Sequence, residues 1–569
     1  MARPQATPRA IAVARGDEPA DTLITGGRVF ADATREWVDT SLALADGVIA
    51  GWGEREAREV IDVDGAALTS GFVDAHMHLE STKLWIDEFV ATVLPTGTTA
   101  VAADPHELAN VLGVPGILAL MEAAAPLPFT FAVYASSCVP ASPFESSGAT
   151  LDASDIAELI SRHGARGVAE VMNFPGVIAG DEEMLARVAV ASGLRVDGHI
   201  PGVSGAMLDA YLAAGVESDH ESTLLAEADE KRRKGMWVFL RQGSASQNLV
   251  ELAPSIVAHG TDLAAFCTDD REPDTLRRLG HVNDCARLAV ASGISEIDAI
   301  ILASTNPARY HGFDALGSLG PGHQADVLAF SALDTWRPER VWQRGRAVVT
   351  GGALVAGAVP AAPVPELLRD TVNVGTLPDA DALVLPVALG THVRAIGVES
   401  HSLTTRRTEL EVEPDADLAH AAVVERHHGT GRVGRGYVTG FGLARGAIAS
   451  TVAHDAHNLV VVGRSGEDMH SAVARLAEIG GGQVAVLDGT VLAEVPLPLA
   501  GLMSDGPAAQ VAEQIEVLNR AAAHRLGTTV AEPFMQLSFI ALSVIPELRL
   551  TDGGLVDVDR FAYVPVLVS

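Results

Sequence analysis

A chain of 569 residues is too long for one hydrophobic core and implies two to four domains at roughly 100–200 residues each. Its hydrophobic content of 48% and charged content of 20% are those of an ordinary globular protein. A net charge of −33 disfavours DNA, RNA and anionic membrane surfaces as partners and suits a small neutral or cationic molecule, although acidity also serves solubility alone.

Residues 1–20 contain no sustained apolar stretch, so they predict a loose leader and not a secretory signal. No apolar run approaches the ~18–20 residues that span a bilayer, which gives a cytoplasmic expectation with no membrane partner. From Thr22 to about Ser70 short strand-like runs are punctuated by Gly and Asp (LITGGRVF, SLALADGVIAGWG, EVIDVDGAAL), as in a small β-domain. From Gly71 to Gly312 strand-like and helix-like runs alternate, the pattern of parallel strands with crossover helices. The strand candidates are FVDAH (72–76), TTAVAAD (98–104), FTFAVYA (129–135), GVAEVM (167–172), LRVDGH (194–199), GVESDH (215–220), MWVFLR (236–241) and LAAFCTD (263–269). Eight units over about 240 residues match the ~250 of a TIM barrel. LGSLGPGHQADVLAF (316–330) and VWQRGRAVVTGG (341–352) return to strands. The expected fold is therefore α/β. A (β/α)8 barrel spans 71–312, and 21–70 and 313–355 form a small β-domain from both flanks. An Ala/Pro-rich linker covers 356–368, and an α+β domain covers 369–569.

Barrel active sites lie at the C-terminal ends of the strands. There the first candidate carries His76 and His78, the fourth Glu170, the fifth His199, the sixth His220 and the eighth Asp269, with His106 soon after the second. Residues i and i+2 of a strand share a side, so His76 and His78 can serve one ion. Imidazole and carboxylate suit Zn, Mn or Fe(II). Four histidines and two carboxylates exceed what one tetrahedral ion uses, which points to two divalent ions sharing a carboxylate. Such ions bring the pKa of bound water down toward ~7, and Asp269 stands where it can take that proton in a hydrolysis. Adjacent strand residues face opposite sides, so Asp269 and not Asp270 is expected to point inward. The three cysteines include no CxxC pair, so neither a thiolate zinc site nor a disulfide framework is supported.

These segments resemble the amidohydrolase superfamily. FVDAHMHLES (72–81) looks like its opening HxH motif. Many members bridge their metals with a modified lysine on strand four; here the lysines are Lys83, Lys231 and Lys234, and Glu170 stands at that place, which resembles the adenine deaminase branch. DPHELANVLG (104–113), SSCVP (136–140), DGHIPG (197–202), DHES (219–222), RQGSASQNL (241–249), CTDDREP (267–273), TVAHDAHN (451–458) and AGLMSD (500–505) are similar to that branch as well. The resemblance implies His76, His78, Glu170, His199, His220 and Asp269 as metal ligands and His106 as a proton shuttle. It implies Mn or Fe as the metal, though the ligand set also accepts Zn, and free adenine as the substrate of a homo-oligomeric enzyme. Glu80 continues the alternation after His78 and is the candidate donor to N1, or else orients a histidine. Ser136, Ser137, Arg241, Gln242, Asp270, His454 and His457 are candidate substrate contacts. Gln242 departs from the glutamate expected in the branch. The His454–Asn458 cluster either reaches the barrel mouth or is an ordinary polar turn.

Rival readings are weaker. The H-x-E…P-C-x-x-C deaminase signature is half met by His78-Leu79-Glu80 but lacks its cysteines. Another amidohydrolase acting on a cyclic amide or a related 6-substituted purine would use the same metals. A silent scaffold would be expected to have lost ligands. A nucleic-acid deaminase is opposed by the charge.

Overall fold

The structure, a computed structural model, describes residues 7–400, 402, 404–413 and 416–568. Eight parallel strands form its centre: β1 (Phe72–Met77), β2 (Thr98–Ala103), β3 (Thr130–Val133), β4 (Gly167–Val171), β5 (Arg195–Gly198), β6 (Ser218–Asp219), β7 (Trp237–Arg241) and β8 (Ala264–Cys267). β1 to β3 pair in sequence, and a bridge from Ala135 to Val168 carries the sheet on to β4. β4 pairs with β5, the Glu217 N–H donates to Val196 O across 3.0 Å, and β6, β7 and β8 pair in turn. A bridge between Met77 and Asp269 returns to β1 and closes a TIM-type cylinder. All six residues of β1 are buried, as expected of a strand covered on both faces.

The helices that follow the strands pack outside the cylinder. His106–Ala124 corrects the sequence reading of apolar runs, because by length and composition it could cross a bilayer. It is instead a barrel-wall helix, 67% buried in its most apolar window and kinked at Gly113, where φ is +63°. The loose leader is corrected too. Pro8–Arg15 is a helix whose N-terminus is capped by Thr7, and its Arg9 pairs with Asp21 and Asp46; residues 1–6 of that leader lie outside the described residues.

Strand Ala67–Ser70 pairs antiparallel with Val327–Phe330, Val327 opposite Ser70. The resulting seven-stranded sheet takes three strands from before the barrel and four from after it. Within 356–368, the Ala362 N–H donates to Asp87 at 2.9 Å and Leu368 is buried, so this stretch is pinned to the barrel helix Ile86–Val93. Beyond it lies an eight-stranded sheet running from Arg406–Glu411 at one edge to Thr490–Pro496 at the other. From this C-terminal region, Asn458 donates to Ser146 O (2.8 Å) and Ser543 meets Ser142 (2.6 Å), which draws residues 454–458 and 539–545 over the barrel mouth.

The end of β6 depends on one buried cation. Lys231 is 0% exposed and donates to Asp219 (3.0 Å), Glu227 (2.6 Å) and Ile200 O (2.6 Å). Burial would raise the Asp219 pKa, but Lys231 and then His220 outweigh it and bring it down to about 2. A depressed carboxylate stabilises the fold above its ordinary value of 3.8, and that contribution fades as pH falls through about 2. Lys231→Met strands Asp219 as a buried, unpaired charge and is expected to cost about 3–5 kcal/mol in denaturant unfolding.

Candidate metal centre

The six ligand candidates converge. Glu170 sits among them: its Oε1 is 3.2 Å from His78 Nε2 and 3.7 Å from His76 Nε2, and its Oε2 is 2.8 Å from His199 Nδ1 and 3.3 Å from His220 Nε2. Asp269 Oδ1 lies 3.1 Å from His78 Nε2 and 3.8 Å from His76 Nε2. All six side chains are buried. The register of β1 against β2 shifts between Asp74 and Met77, and that of β4 against β5 shifts between Val168 and Val171. Irregularities of this kind re-aim side chains beside active sites, and here they flank His76 and Glu170.

Neighbouring groups fix the ligand orientations. His78 Nδ1 is 2.8 Å from Asp104 O, and a carbonyl only accepts, so Nδ1 carries a proton and Nε2 turns to the centre. Tyr211 OH donates to Val171 O and accepts from His199 N, tying the ends of β4 and β5 together. Ser137 Oγ donates to Glu170 O, and Asn248 donates to His220 O.

Electrostatics and donor chemistry fit a cation here. His76 Nε2 and His78 Nε2 face each other at 3.2 Å. Two imidazole nitrogens that close repel unless a proton or an ion lies between them. With protons alone to fill that place, burial would lower His78, but Asp269 and Glu170 overcome it and hold it well above its usual value. His220 is likewise pushed up to about 9 against burial, first by Glu170. Burial would raise Glu170, but the hydrogen bonds of His199, His220 and His78 hold it well below the carboxylate range. Burial and then His220 hold His76 well below its usual value, so its nitrogen stays free to meet an ion beside the carboxylates that draw protons to His78 and His220.

A small cavity of about 40 Å³ lies over these groups. Arg241 lines it and contacts Glu221 and Asp269 with one terminal nitrogen, while the other lies 3.4 Å from Asp270. Burial would raise Asp269, but Arg241, His78 and His220 together outweigh it and hold it well below the usual carboxylate range. Arg241→Lys keeps the charge but loses the planar fork. We expect kcat/KM to fall about 10- to 100-fold with metal content retained, measured by steady-state kinetics beside elemental analysis.

Several expectations are corrected by position. Asp269 is not the inward member of a strand pair. β8 ends at Cys267, Asp269 has φ +56°, and both Asp269 and Asp270 line the cavity. Arg271, next to Asp270 in sequence, pairs with Asp284. Glu80 leaves the alternation because β1 ends at Met77 and Glu80–Thr82 is a 3-10 turn. Its Oε1 accepts from Leu108 N (2.9 Å), and it does not line the cavity, so it steadies the helix that carries His106. Ser136 donates to Asp104 (2.7 Å) and Ser137 to Glu170 O (2.6 Å), both behind the ligands and away from substrate space. Gln242 is buried outside the lining, as is His457, whose Nε2 lies 3.4 Å from Glu107. His106, His199 and His454 do line it.

Three participants were missed from sequence. Asp104 closes the second strand candidate and lies 3.3 Å from His106 Nδ1, so that strand end does carry a carboxylate. Glu221 follows His220, and Asp455 lies inside the His-Asp-Ala-His cluster; both line the cavity. The signal for each was present in DPHE, DHES and HDAH, but spacing alone does not say which members of such a segment turn inward.

Two family models match the chain, one described as Amidohydrolase family over residues 67–351 and one as Adenine deaminase C-terminal domain over residues 398–562. The chain is 42% identical over 565 residues to "Adenine deaminase 2" of Carboxydothermus hydrogenoformans, covering 98% of each. It is 43% identical over 559 residues to the adenine deaminase of Brucella anthropi, covering 96% of this chain and 98% of that one. It is 41% identical over 570 residues to the adenine deaminase of Nitratidesulfovibrio vulgaris, covering 97% and 98%.

Proposed function

The chain belongs to the adenine deaminase family of the amidohydrolases, and from that premise we propose how its cavity turns adenine and water into hypoxanthine and ammonia. The observation that carries the reading is Glu170, a carboxylate with five imidazoles within 3.7 Å, those of His76, His78, His199 and His220 and that of His106. His76, His78 and Asp269 would hold one divalent ion and His199 and His220 a second, with Glu170 shared between them; manganese or iron is our assignment, and zinc is also compatible. When bound, the ions supply Lewis acidity and water that ionises near neutral pH.

The residues supply the rest. Asp269 is fixed at both ends of its peptide, its N–H donating to His76 O (3.0 Å) and its carbonyl accepting from His78 N (3.2 Å). Its carboxylate is placed to take a proton from the attacking water and return it to the exocyclic nitrogen. Attack at C6 gives a tetrahedral carbon, the protonated amine leaves as ammonia, and the oxygen stays on the ring. His106, 3.6 Å from Glu170 Oε1 through Nδ1, is a second carrier for that proton. Asp270, Glu221 and Asp455 are the further carboxyl groups in the lining and the ones placed to meet ring nitrogens. The aliphatic residues Leu542, Val544 and Ile545 exclude water above them. In this reading residues 71–312 carry the chemistry and residues 369–569 cover it.

The test is a purine panel followed by ultraviolet absorbance and ammonia release, with enzyme loaded with Mn, Fe or Zn. Adenine is expected to be turned over fastest. Ammonia release from cyclic amidines or amides at higher efficiency than from adenine would overturn the assignment.

A further inference from the structure

The cavity has two unlike walls. One is the ligand cluster. The other comes from the C-terminal region and consists of His454, Asp455, Phe539, Leu542, Val544 and Ile545. His454 stacks on Phe539, with centroids 5.6 Å apart and planes at 28°. Aromatic and aliphatic faces of this kind suit a flat heterocycle.

Asp455 is the carboxylate of that wall. It is 3% exposed. Its Oδ1 lies 3.5 Å from His106 Nε2 and 3.8 Å from His454 Nδ1, and its Oδ2 has no hydrogen-bond partner among the described residues. A buried acceptor left without a donor is costly, and in a ligand cavity the absent donor is naturally one the ligand brings. Free adenine brings one. Its imidazole edge carries a ring N–H, whereas in a nucleoside that nitrogen is bonded to the sugar. The amino edge has to face Glu170 and Asp269 for the reaction to occur, which leaves the imidazole edge toward the opposite wall.

We propose that Asp455 accepts the imidazole-edge N–H of the purine and thereby makes the site select free base over nucleoside. The proposal rests on adenine being the substrate. It assigns to the C-terminal region a role in specificity beyond covering the barrel. The competing role for Asp455 is to orient His106, which would act on the chemical step and not on recognition.

The experiment compares adenine with 9-methyladenine, which has no imidazole N–H, in the metal-loaded full-length enzyme and in Asp455→Ala and Asp455→Asn. Wild type is expected to favour adenine strongly. In Asp455→Ala the KM for adenine should rise about 10- to 100-fold with kcat within a few-fold, and the discrimination should fall by the same factor. Asp455→Asn keeps an acceptor oxygen and should recover part of both. A fall in kcat at unchanged KM, or undiminished discrimination, would assign Asp455 to His106 and overturn the proposal. Should Asp455→Ala fail to fold, inhibition of wild type decides: hypoxanthine should bind at least 10-fold more tightly than 9-methylhypoxanthine, and equal inhibition would overturn the proposal. Absence of adenine turnover in wild type would instead remove the functional reading itself.

Discussion

Glu170→Gln is expected to lose bound metal and adenine turnover together. The carboxylate is 3% exposed, and His76, His78, His199 and His220 all approach it. An amide is neutral and presents one oxygen and one NH2 group. The NH2 group would point its hydrogens at imidazole nitrogens that need their lone pairs for an ion, and the negative charge that neutralises two cations would be gone. The loss should far exceed that of a merely second-layer contact, about 10- to 100-fold in affinity. Elemental analysis after dialysis, run beside an adenine assay, checks it. Full metal content in Glu170→Gln would show that Glu170 is not shared between ions.

Asp269→Asn has a different expected signature. Its backbone bonds to His76 and His78 do not involve the side chain, so barrel closure and folding should survive. The amide cannot accept a proton from water, and it also leaves Arg241 with fewer anionic partners. Turnover should fall by at least about three orders of magnitude, about 4 kcal/mol of transition-state stabilisation. Thermal unfolding should shift by only a few degrees, which separates this variant from one that misfolds. Turnover within tenfold of wild type would remove Asp269 from the proton path.

Much of this centre was legible before any coordinates, for a definite reason. A strand of a covered parallel sheet reads as a short apolar run, and a polar residue at its C-terminal end has only the barrel mouth to face. That logic placed His76, Glu170, His199 and His220. It fails where strand geometry stops. β8 ends before Asp269, so alternation does not separate it from Asp270, and both reach the cavity. β1 ends before Glu80, which turns away onto the helix of His106. The irregularities around His76 and Glu170 leave no mark in composition. Nor does sequence order reveal that residues 454, 455 and 539–545 fold back over a barrel that closed near residue 269; those contacts span the whole chain and are set by tertiary packing. The helix Pro8–Arg15 was missed because its helical stretch is short and it is held by contacts distant in sequence, Val13 packing with Leu23 and Ala43 and Arg9 pairing with Asp21 and Asp46.

In the proposed mechanism four imidazoles and two carboxylates grip a pair of ions that the reaction requires. The direct measurement is the metal content of the purified chain, titrated against adenine turnover as a chelator removes the ions. Close to two divalent ions per chain are expected, with activity that falls as they leave and recovers on adding Mn or Fe. Adenine turnover that persists in protein stripped of metal would contradict it.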